Sequence, residues 1–320
     1  MGMFHCPIGA IGCGGDGCIQ CGLCTAVTRA EKQAATEIMR KWIQENAHLR
    51  NADIQIRKIA VCGKGGAGKS TITALLAGAL DLLGYQILVM DTDSSNGGLW
   101  RKLGMAGPAL PLSNTAEEDP ARLGFLQKEP LYFSEIDDDF IQRNGSRWLV
   151  SAGKIDDPLL GCACTIGSYA RLLIQNLTPM RRELVLTDQE AGVESFGRGI
   201  EQSCDTVLIP VEPSAESIEL AQKIQYMAEG IGIRRIRAIL NKIEDEEQEE
   251  YIRQELSDRG VRYLGTLPLL KDIRSNNLFG KELTPEFSYR MAGTIARFLL
   301  DEAEMDYDKV TLPDAGPYPG

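Results

Sequence analysis

Short apolar runs and amphipathic stretches alternate along most of this chain. Apolar runs with the length of a buried strand lie at residues 59–62, 86–90, 148–151, 183–187, 206–210, 236–240 and 261–264. Between them, a helical period predicts helices at 70–83, 168–177, 217–229, 246–258 and 287–300. This alternation predicts an α/β fold, with a mostly parallel sheet flanked by helices on both faces.

Four segments stand outside this alternation. Residues 104–147 are rich in proline, glycine and acids and follow no clear period. The first 24 residues hold seven glycines and one formally charged residue, Asp16. Because few of them can form a hydrophobic core, we expect a metal cluster to stabilise their fold. A helix predicted over 31–47 leads into a short polar link. The acidic tail, which is rich in proline and glycine, is expected to be mobile.

Composition excludes several classes of protein. The 320 residues include 34 basic and 45 acidic side chains, which gives a formal net charge of −11. That charge argues against binding nucleic acid or an anionic membrane surface. No apolar run reaches the roughly 18 residues of a membrane span, and no secretory signal is evident. We therefore expect a cytoplasmic protein, in which clustered cysteines are metal ligands or catalysts rather than disulfides.

The strongest motif is Gly63-Lys64-Gly65-Gly66-Ala67-Gly68-Lys69-Ser70. It has the P-loop form G-x-x-x-x-G-K-[ST], follows a predicted strand and opens a predicted helix, which is the context that a phosphate-binding loop requires. We expect Lys69 to reach the β- and γ-phosphates of ATP and Ser70 to ligate Mg²⁺. The backbone around them, with Thr71, completes the expected nucleotide site: Gly63, Gly65, Gly66, Ala67 and Gly68.

Acidic residues end two of the predicted strands. Asp91 and Asp93 follow the run at 86–90, and Asp188 follows the run at 183–187. Ligands of open α/β sheets lie beyond the carboxyl ends of the strands, so these acids are expected near the phosphates. The alternative is that they only cap strand ends.

The second lysine in the loop, Lys64, resembles the deviant Walker A motif of the ATPase family that includes MinD, ParA and the nitrogenase iron protein. The similarity spans about residues 57–300. The resemblance implies a homodimer in which Lys64 reaches the partner's nucleotide, so that ATP controls dimerisation. By the same resemblance the catalytic residues are Lys64, Lys69, Asp93 and Asp188.

The resemblance also implies individual roles. Asp93 corresponds to the switch I residue that orients the attacking water, and Asp91 to a support of the Mg²⁺ shell. Asp188 corresponds to the switch II aspartate. Asn241 and Lys242 resemble the adenine-recognition segment.

Within that family a narrower similarity is present. The segments 161–164, 188–199, 211–214 and 217–219 together resemble the CooC-type nickel-insertion ATPases. These proteins mature carbon monoxide dehydrogenase, and close relatives serve acetyl-CoA synthase. The resemblance implies a client metalloenzyme of that type.

Cys162 and Cys164 form a Cys-x-Cys pair just before a helix predicted to begin near Thr165. Two thiolates cannot fill a tetrahedral site, but a symmetric dimer would supply four. A helix N-terminus favours the thiolate form, which is the ligating form. In CooC-type proteins this motif binds nickel or zinc at the dimer interface, and a four-cysteine site suits either Ni²⁺ or Zn²⁺. The alternative is a pair of small buried hydrophobic residues.

A second cysteine group lies near the amino terminus. Cys18, Cys21 and Cys24 have the spacing of three ligands of a [4Fe-4S] cluster, and Cys6, followed by proline, would supply the fourth ligand. Cys13 competes with Cys6 for that role. A structural zinc site on the same cysteines is the alternative. This extension departs from the basic CooC type.

Four segments are expected: a Cys-rich ferredoxin-like metal or iron–sulfur segment (1–28), a helix and linker (29–56), the ATPase domain (57–304) and a mobile acidic tail (305–320). The first functional hypothesis is an ATP-driven metallochaperone, and the second is an ATP-gated iron–sulfur reductase. A positioning role of the MinD or ParA type is disfavoured by the net charge and by a carboxyl terminus without a basic amphipathic helix.

Overall fold

The computed structural model describes residues 56–95, 97–155 and 163–304. The strands in this part of the chain are β1 (Lys58–Gly63), β2 (Gln86–Asp91), β3 (Gln142–Asn144), β4 (Arg147–Ser151), β5 (Glu183–Ala191), β6 (Thr206–Val211), β7 (Arg235–Ile243) and β8 (Tyr263–Pro268). The α-helices are α1 (Lys69–Leu82), α2 (Leu99–Lys102), α3 (Leu112–Glu118), α4 (Ala163–Asn176), α5 (Glu194–Arg198), α6 (Ala215–Gly230), α7 (Glu246–Asp258), α8 (Lys271–Leu278) and α9 (Pro285–Glu304). Short 3₁₀ helices span Pro120–Gln127, Phe133–Glu135, Asp138–Phe140 and Glu201–Ser203.

All eight strands form one sheet, in the order β3-β4-β2-β5-β1-β6-β7-β8. Every neighbouring pair is parallel except β3 and β4, which are antiparallel. Strand β1 lies between β5 and β6, so the loop that follows β1 leaves from the middle of the sheet. The predicted α/β P-loop fold, with a mostly parallel sheet, is confirmed.

Each face of the sheet carries its own apolar core. On one face, α1 and α9 pack together over the sheet through side chains such as Leu75 and Leu299. On the other face, α4, α6 and α7 contribute side chains such as Leu173, Ile224 and Leu256. Because both faces are covered, β1 and β2 are almost wholly buried, as their continuous apolar sequences require.

Several elements differ from their predicted form. The strand predicted at 261–264 is β8, which begins only at Tyr263, because the Val261 amide still bonds to Leu256 O and closes the end of α7. Helix α4 begins at Ala163, so Cys164 lies within its first turn rather than ahead of it. The unassigned stretch 104–147 folds into α3, three of the 3₁₀ helices and β3, which are anchored by buried side chains such as Phe133 and Phe140.

Some expectations concern residues outside this description. The cysteine-rich segment at 1–28, most of the link at 29–56 and the tail at 305–320 lie beyond the described residues. Among the helices that are described, none is long and apolar enough to cross a membrane.

The α1–α9 contact gives a test of the packing. A Cβ placed on buried Gly78 of α1 would lie 2.6 Å from Cβ of Ser288 and 3.3 Å from Cα of Pro285, both on or beside α9. We expect Gly78→Val to lower the free energy of unfolding by about 2 kcal/mol or more, because the two helices must separate. Urea denaturation monitored by circular dichroism measures this change.

The matched control is Gly230→Val at the exposed end of α6, where an added Cβ meets nothing within 4 Å. Its free energy of unfolding should change by about 0.5 kcal/mol or less. Equal losses in the two variants would contradict the close approach of α1 and α9.

Candidate functional site

The loop between β1 and α1 has the curled backbone of a phosphate cradle. Gly66 (φ 82°) and Gly68 (φ 99°) both adopt the left-handed conformation that favours glycine. A Cβ on Gly68 would also overlap Nδ2 of Asn241. Because α1 begins at Lys69, the N-terminal end of the helix opens directly onto the loop.

Two side chains from the end of β7 hold this loop in place. Asn241 Nδ2 donates to Ala67 O at 2.7 Å, and Lys242 Nζ donates to Gly66 O at 2.6 Å. Lys242 has a left-handed backbone (φ 64°) at an irregularity of the β7–β8 pairing. The predicted 241–242 segment therefore lies against the phosphate loop, while its role in adenine recognition stays a prediction.

The two lysines of the motif differ in their surroundings. Lys69 is 7% exposed and its Nζ donates to Lys64 O at 3.3 Å, so the side chain folds back over the loop. The Lys64 side chain is 32% exposed, and its Nζ lies 3.2 Å from Oε1 of Glu212 and 3.7 Å from Oε2 of Glu216. The other Glu212 oxygen, Oε2, accepts from Lys242 Nζ at 2.7 Å. In the single chain, Lys64 is thus paired in cis.

Asp91, the last residue of β2, lies beside Asp188 of β5, because the strand register pairs the two directly. Burial raises the pKa of Asp91 to about 6, although the Lys154 ammonium opposes that rise. Burial, together with the neighbouring Asp91 charge, raises the pKa of Asp188 to about 7. The predicted Asp93 joins them through its amide, which donates to Asp91 Oδ1 at 3.2 Å.

These groups fit Mg²⁺ bound together with a nucleotide. Ser70, at the start of α1, hydrogen-bonds Asp188, whose Oδ1 is buried and has no hydrogen-bond partner among the described residues. A water of a magnesium shell would satisfy that oxygen. Mg²⁺ keeps several waters and takes only one or two protein ligands beside the phosphates. Within the described ranges, no group of three or more His, Cys, Asp or Glu is arranged to hold a metal ion.

Three cysteines fall in the described part of the chain, and only one is exposed. Cys62 and Cys204 are buried, and burial raises the pKa of both thiols well above the ordinary value. Cys164 is exposed in the first turn of α4. The remaining predicted metal ligands lie outside the described residues: Cys162, Cys6, Cys18, Cys21 and Cys24.

Four further side chains at the site had no predicted role. Lys154 follows β4, and its Nζ lies 2.8 Å from Oδ2 of Asp91. Glu212 follows β6 and pairs with Lys64. Glu190 lies at the end of β5 and pairs with Arg198 of α5. Three of these residues stand at or just beyond the carboxyl ends of strands, so a search for charged residues at every predicted strand end would have found them.

Similar proteins point to a nucleotide-binding family. A family model described as the CobQ/CobB/MinD/ParA nucleotide binding domain matches residues 58–283. An uncharacterised ATP-binding protein of Methanocaldococcus jannaschii is 35% identical over 245 residues, which cover 72% of this chain and 95% of that protein. The carbon monoxide dehydrogenase accessory protein CooC of Rhodospirillum rubrum is 33% identical over 196 residues, covering 58% of this chain and 74% of that protein.

Among solved structures, the septum site-determining protein MinD of Pyrococcus horikoshii, in complex with Mg-ADP, superposes with a TM-score of 0.57. The match covers 80% of this chain and 99% of that chain at 19% sequence identity. At that identity the likeness concerns the fold.

The buried Asp188 gives a test that needs no ligand. Its folded pKa of about 7 lies above the ordinary aspartate pKa of 3.8, so the folded state binds more protons than the unfolded state between these pH values. Its contribution to stability therefore falls as the pH rises through that window. We expect Asp188→Asn to raise the free energy of unfolding of the nucleotide-free protein by about 2 kcal/mol more at pH 8 than at pH 5.

Urea denaturation at the two pH values measures this difference. The exposed Asp272→Asn of α8 is the control, and its effect should be the same at both pH values. If Asp188→Asn raises the free energy of unfolding equally at pH 5 and pH 8, the pKa of Asp188 is not raised in the folded protein.

Proposed function

The chain is an ATPase that belongs to the CobQ/CobB/MinD/ParA nucleotide-binding family, and on this basis we propose that it is a dimeric metallochaperone. In this proposal, ATP binding closes a homodimer and brings Cys162 and Cys164 of both chains into one four-thiolate site. Hydrolysis to ADP and phosphate reopens the dimer, and the bound metal passes to a client enzyme.

The exposed position of Cys164 is the observation that carries this proposal. A structural cysteine is usually buried, as Cys62 and Cys204 are, whereas Cys164 faces solvent in the first turn of α4. The N-terminal end of a helix stabilises a negative charge and so favours the thiolate. Two such thiolates per chain leave a tetrahedral shell half filled, and a second copy of the chain would complete it.

The pairing of Lys64 is compatible with a role in the partner's nucleotide site. Its contacts with Glu212 and Glu216 are partly exposed, and ion pairs of that kind contribute about 1 kcal/mol or less. The ammonium can therefore leave these carboxylates for the phosphates of a nucleotide on a second copy at little cost. Closure would then depend on the nucleotide, because the phosphates provide the competing charge.

We infer the cargo and client from the relatives. The CooC protein of Rhodospirillum rubrum is an accessory protein of carbon monoxide dehydrogenase. By analogy, this chain delivers nickel to an enzyme of the carbon monoxide dehydrogenase or acetyl-CoA synthase type. Four thiolates would also bind Zn²⁺, so both metals belong in the experiment.

An ATP-gated reductase is the second candidate, and the spacing of Cys18, Cys21 and Cys24 favours it. In that case an amino-terminal cluster would pass electrons to a partner metalloenzyme only while ATP is hydrolysed. A cluster that shows a reduced-state electron paramagnetic resonance signal, and loses it to an acceptor enzyme only with ATP, would support this candidate.

Lys69→Ala tests the nucleotide site. We expect the affinity for ATP to fall about 30-fold or more, because a buried ammonium that bonds phosphate oxygens is lost. Calorimetric titration with a non-hydrolysable ATP analogue measures this change. Lys128→Ala, at an exposed ion pair with Glu135, should bind like the wild type. Unchanged affinity of Lys69→Ala would refute the assignment of this loop.

The metallochaperone proposal is tested by metal content. Anaerobic protein is equilibrated with Ni²⁺ or Zn²⁺, with or without the non-hydrolysable analogue, and its metal is measured by mass spectrometry. We expect the analogue to add about one metal ion per dimer, because four thiolates meet only after closure.

The Cys162→Ser/Cys164→Ser double variant should lose this nucleotide-dependent increment and keep ATP hydrolysis. Cys204→Ala, which removes a buried thiol, should retain the increment. The same increment in the double variant would overturn the proposal.

A further inference from the structure

Lys154 places a positive charge inside the carboxylate cluster of the nucleotide site. It lies three residues beyond β4, and its Nζ is 2.8 Å from Oδ2 of Asp91. It also donates to the backbone carbonyl of Asp93. The Lys154 side chain is 14% exposed and that of Asp91 is 7% exposed, so solvent screens the pair only weakly.

The backbone around Lys154 is bonded to the loop that follows β2. The Ile155 amide donates to Ser94 O at 3.1 Å, and Asn114 Nδ2 donates to Lys154 O at 3.3 Å. The Ile155 bond and the two contacts of the Lys154 ammonium join residues 154–155 to residues 91–94, while Asn114 holds Lys154 from α3. Cys164 follows Ile155 by nine positions in the chain.

A second route connects the same loop with the helix of Cys164. The Ser94 hydroxyl donates to Glu190, and Glu190 pairs with Arg198. Arg198 packs against Gly167 of α4, where an added Cβ would lie 2.5 Å from Cδ of the arginine. Helix α4 is therefore in contact with the nucleotide site through side chains.

The charges around Asp91 explain why the Lys154 ammonium would move when Mg²⁺ and a nucleotide bind. The ionised forms of Asp91, Asp93 and Asp188 repel one another, which contributes to the raised pKa of Asp91 and of Asp188, and the Lys154 ammonium favours the ionised form of Asp91 in the nucleotide-free chain. Mg²⁺ bound with a nucleotide would bring two positive charges to the same carboxylates. Two cations cannot both occupy the neighbourhood of Asp91 without repelling each other.

We propose that Lys154 is a positioning residue whose ammonium is displaced from Asp91 by the Mg²⁺–nucleotide, and that this exchange changes the environment of Cys164. The displacement loosens the contacts of residues 154–155 with residues 91–94. Ser94 of that loop is linked to α4 through Glu190 and Arg198. This inference deepens the proposed function and rests on it for the meaning of Cys164 as a metal ligand.

Lys154→Met tests the exchange. The substitution keeps most of the side-chain length and removes the competing charge. We expect Mg²⁺–ADP to bind about five-fold tighter to Lys154→Met than to the wild type, whereas ADP in the presence of EDTA should bind with the same affinity. Calorimetric titration measures both constants. Lys154→Arg keeps the charge and should resemble the wild type, and the exposed Lys128→Met is the matched control.

The outcome that overturns the exchange is specific. If Lys154 instead contacts the phosphates, Lys154→Met will weaken ADP binding both with Mg²⁺ and with EDTA. An unchanged affinity for Mg²⁺–ADP would likewise refute competition between the ammonium and the metal. Thermal unfolding of each variant confirms that the titrated protein is folded.

The reactivity of Cys164 measures whether the displacement of Lys154 affects α4. In a Cys162→Ser background, the rate at which iodoacetamide alkylates Cys164 is measured by peptide mass spectrometry, with and without Mg²⁺–ADP. We expect the nucleotide to change this rate about three-fold in the charged forms (Lys154 and Lys154→Arg) and to leave it unchanged in Lys154→Met. A rate that is independent of nucleotide in all forms, or equally dependent in all forms, would overturn the coupling.

These measurements separate this inference from the proposed function. They use Mg²⁺, ADP and a thiol reagent, with no nickel, zinc or client enzyme. If the Lys154 variants do not behave as expected, the metal-content experiment can still support a metallochaperone. A failure of the metal-content experiment leaves the exchange at Lys154 measurable.

Discussion

Two neighbouring buried carboxyl groups, one at the end of β2 and one within β5, are the constraint around which the nucleotide site is organised. The parallel register places Asp91 beside Asp188, and both carboxylates lie below the surface. Such a pair is costly unless cations are close, and this chain provides Lys154 beside Asp91 and Lys69 near Asp188. The loops that carry these groups are the loops that a Mg²⁺–nucleotide would contact. The site is therefore prepared to exchange its own cations for those of the ligand.

The sequence predicted those parts of the structure that depend on residues close together along the chain. The buried strands are continuous apolar runs, and the phosphate loop is a contiguous motif, so both could be located without tertiary information. The contacts of Lys154 and Glu212 could not, because their partners are 63 and 148 positions away along the chain. The stretch 104–147 resisted prediction because its short 3₁₀ turns have no period and fold around buried aromatic side chains.

The two parts of the proposed mechanism meet at α4. Its first turn carries the exposed Cys164, and its second turn packs on Arg198, which is bonded to Glu190 at the end of the strand that carries Asp188. Cys164 and the strand that carries Asp188 are thus joined by one helix and one ion pair. The relatives of this chain include both MinD and CooC, so the shared fold serves different tasks. The Cys-x-Cys pair is the feature that points this chain toward metal.

The central claim is that nucleotide and metal binding are linked through one closed dimer. Linkage of this kind is reciprocal: if ATP favours the four-thiolate site, the metal must favour ATP by the same factor. The direct measurement is the affinity of a non-hydrolysable ATP analogue, titrated anaerobically with and without saturating Ni²⁺. If one closed dimer links the two sites, the affinity will be about ten-fold tighter with the metal, and this gain will be lost when Cys162 and Cys164 are replaced by serine. Equal affinities with and without Ni²⁺ in the wild type would contradict this linkage.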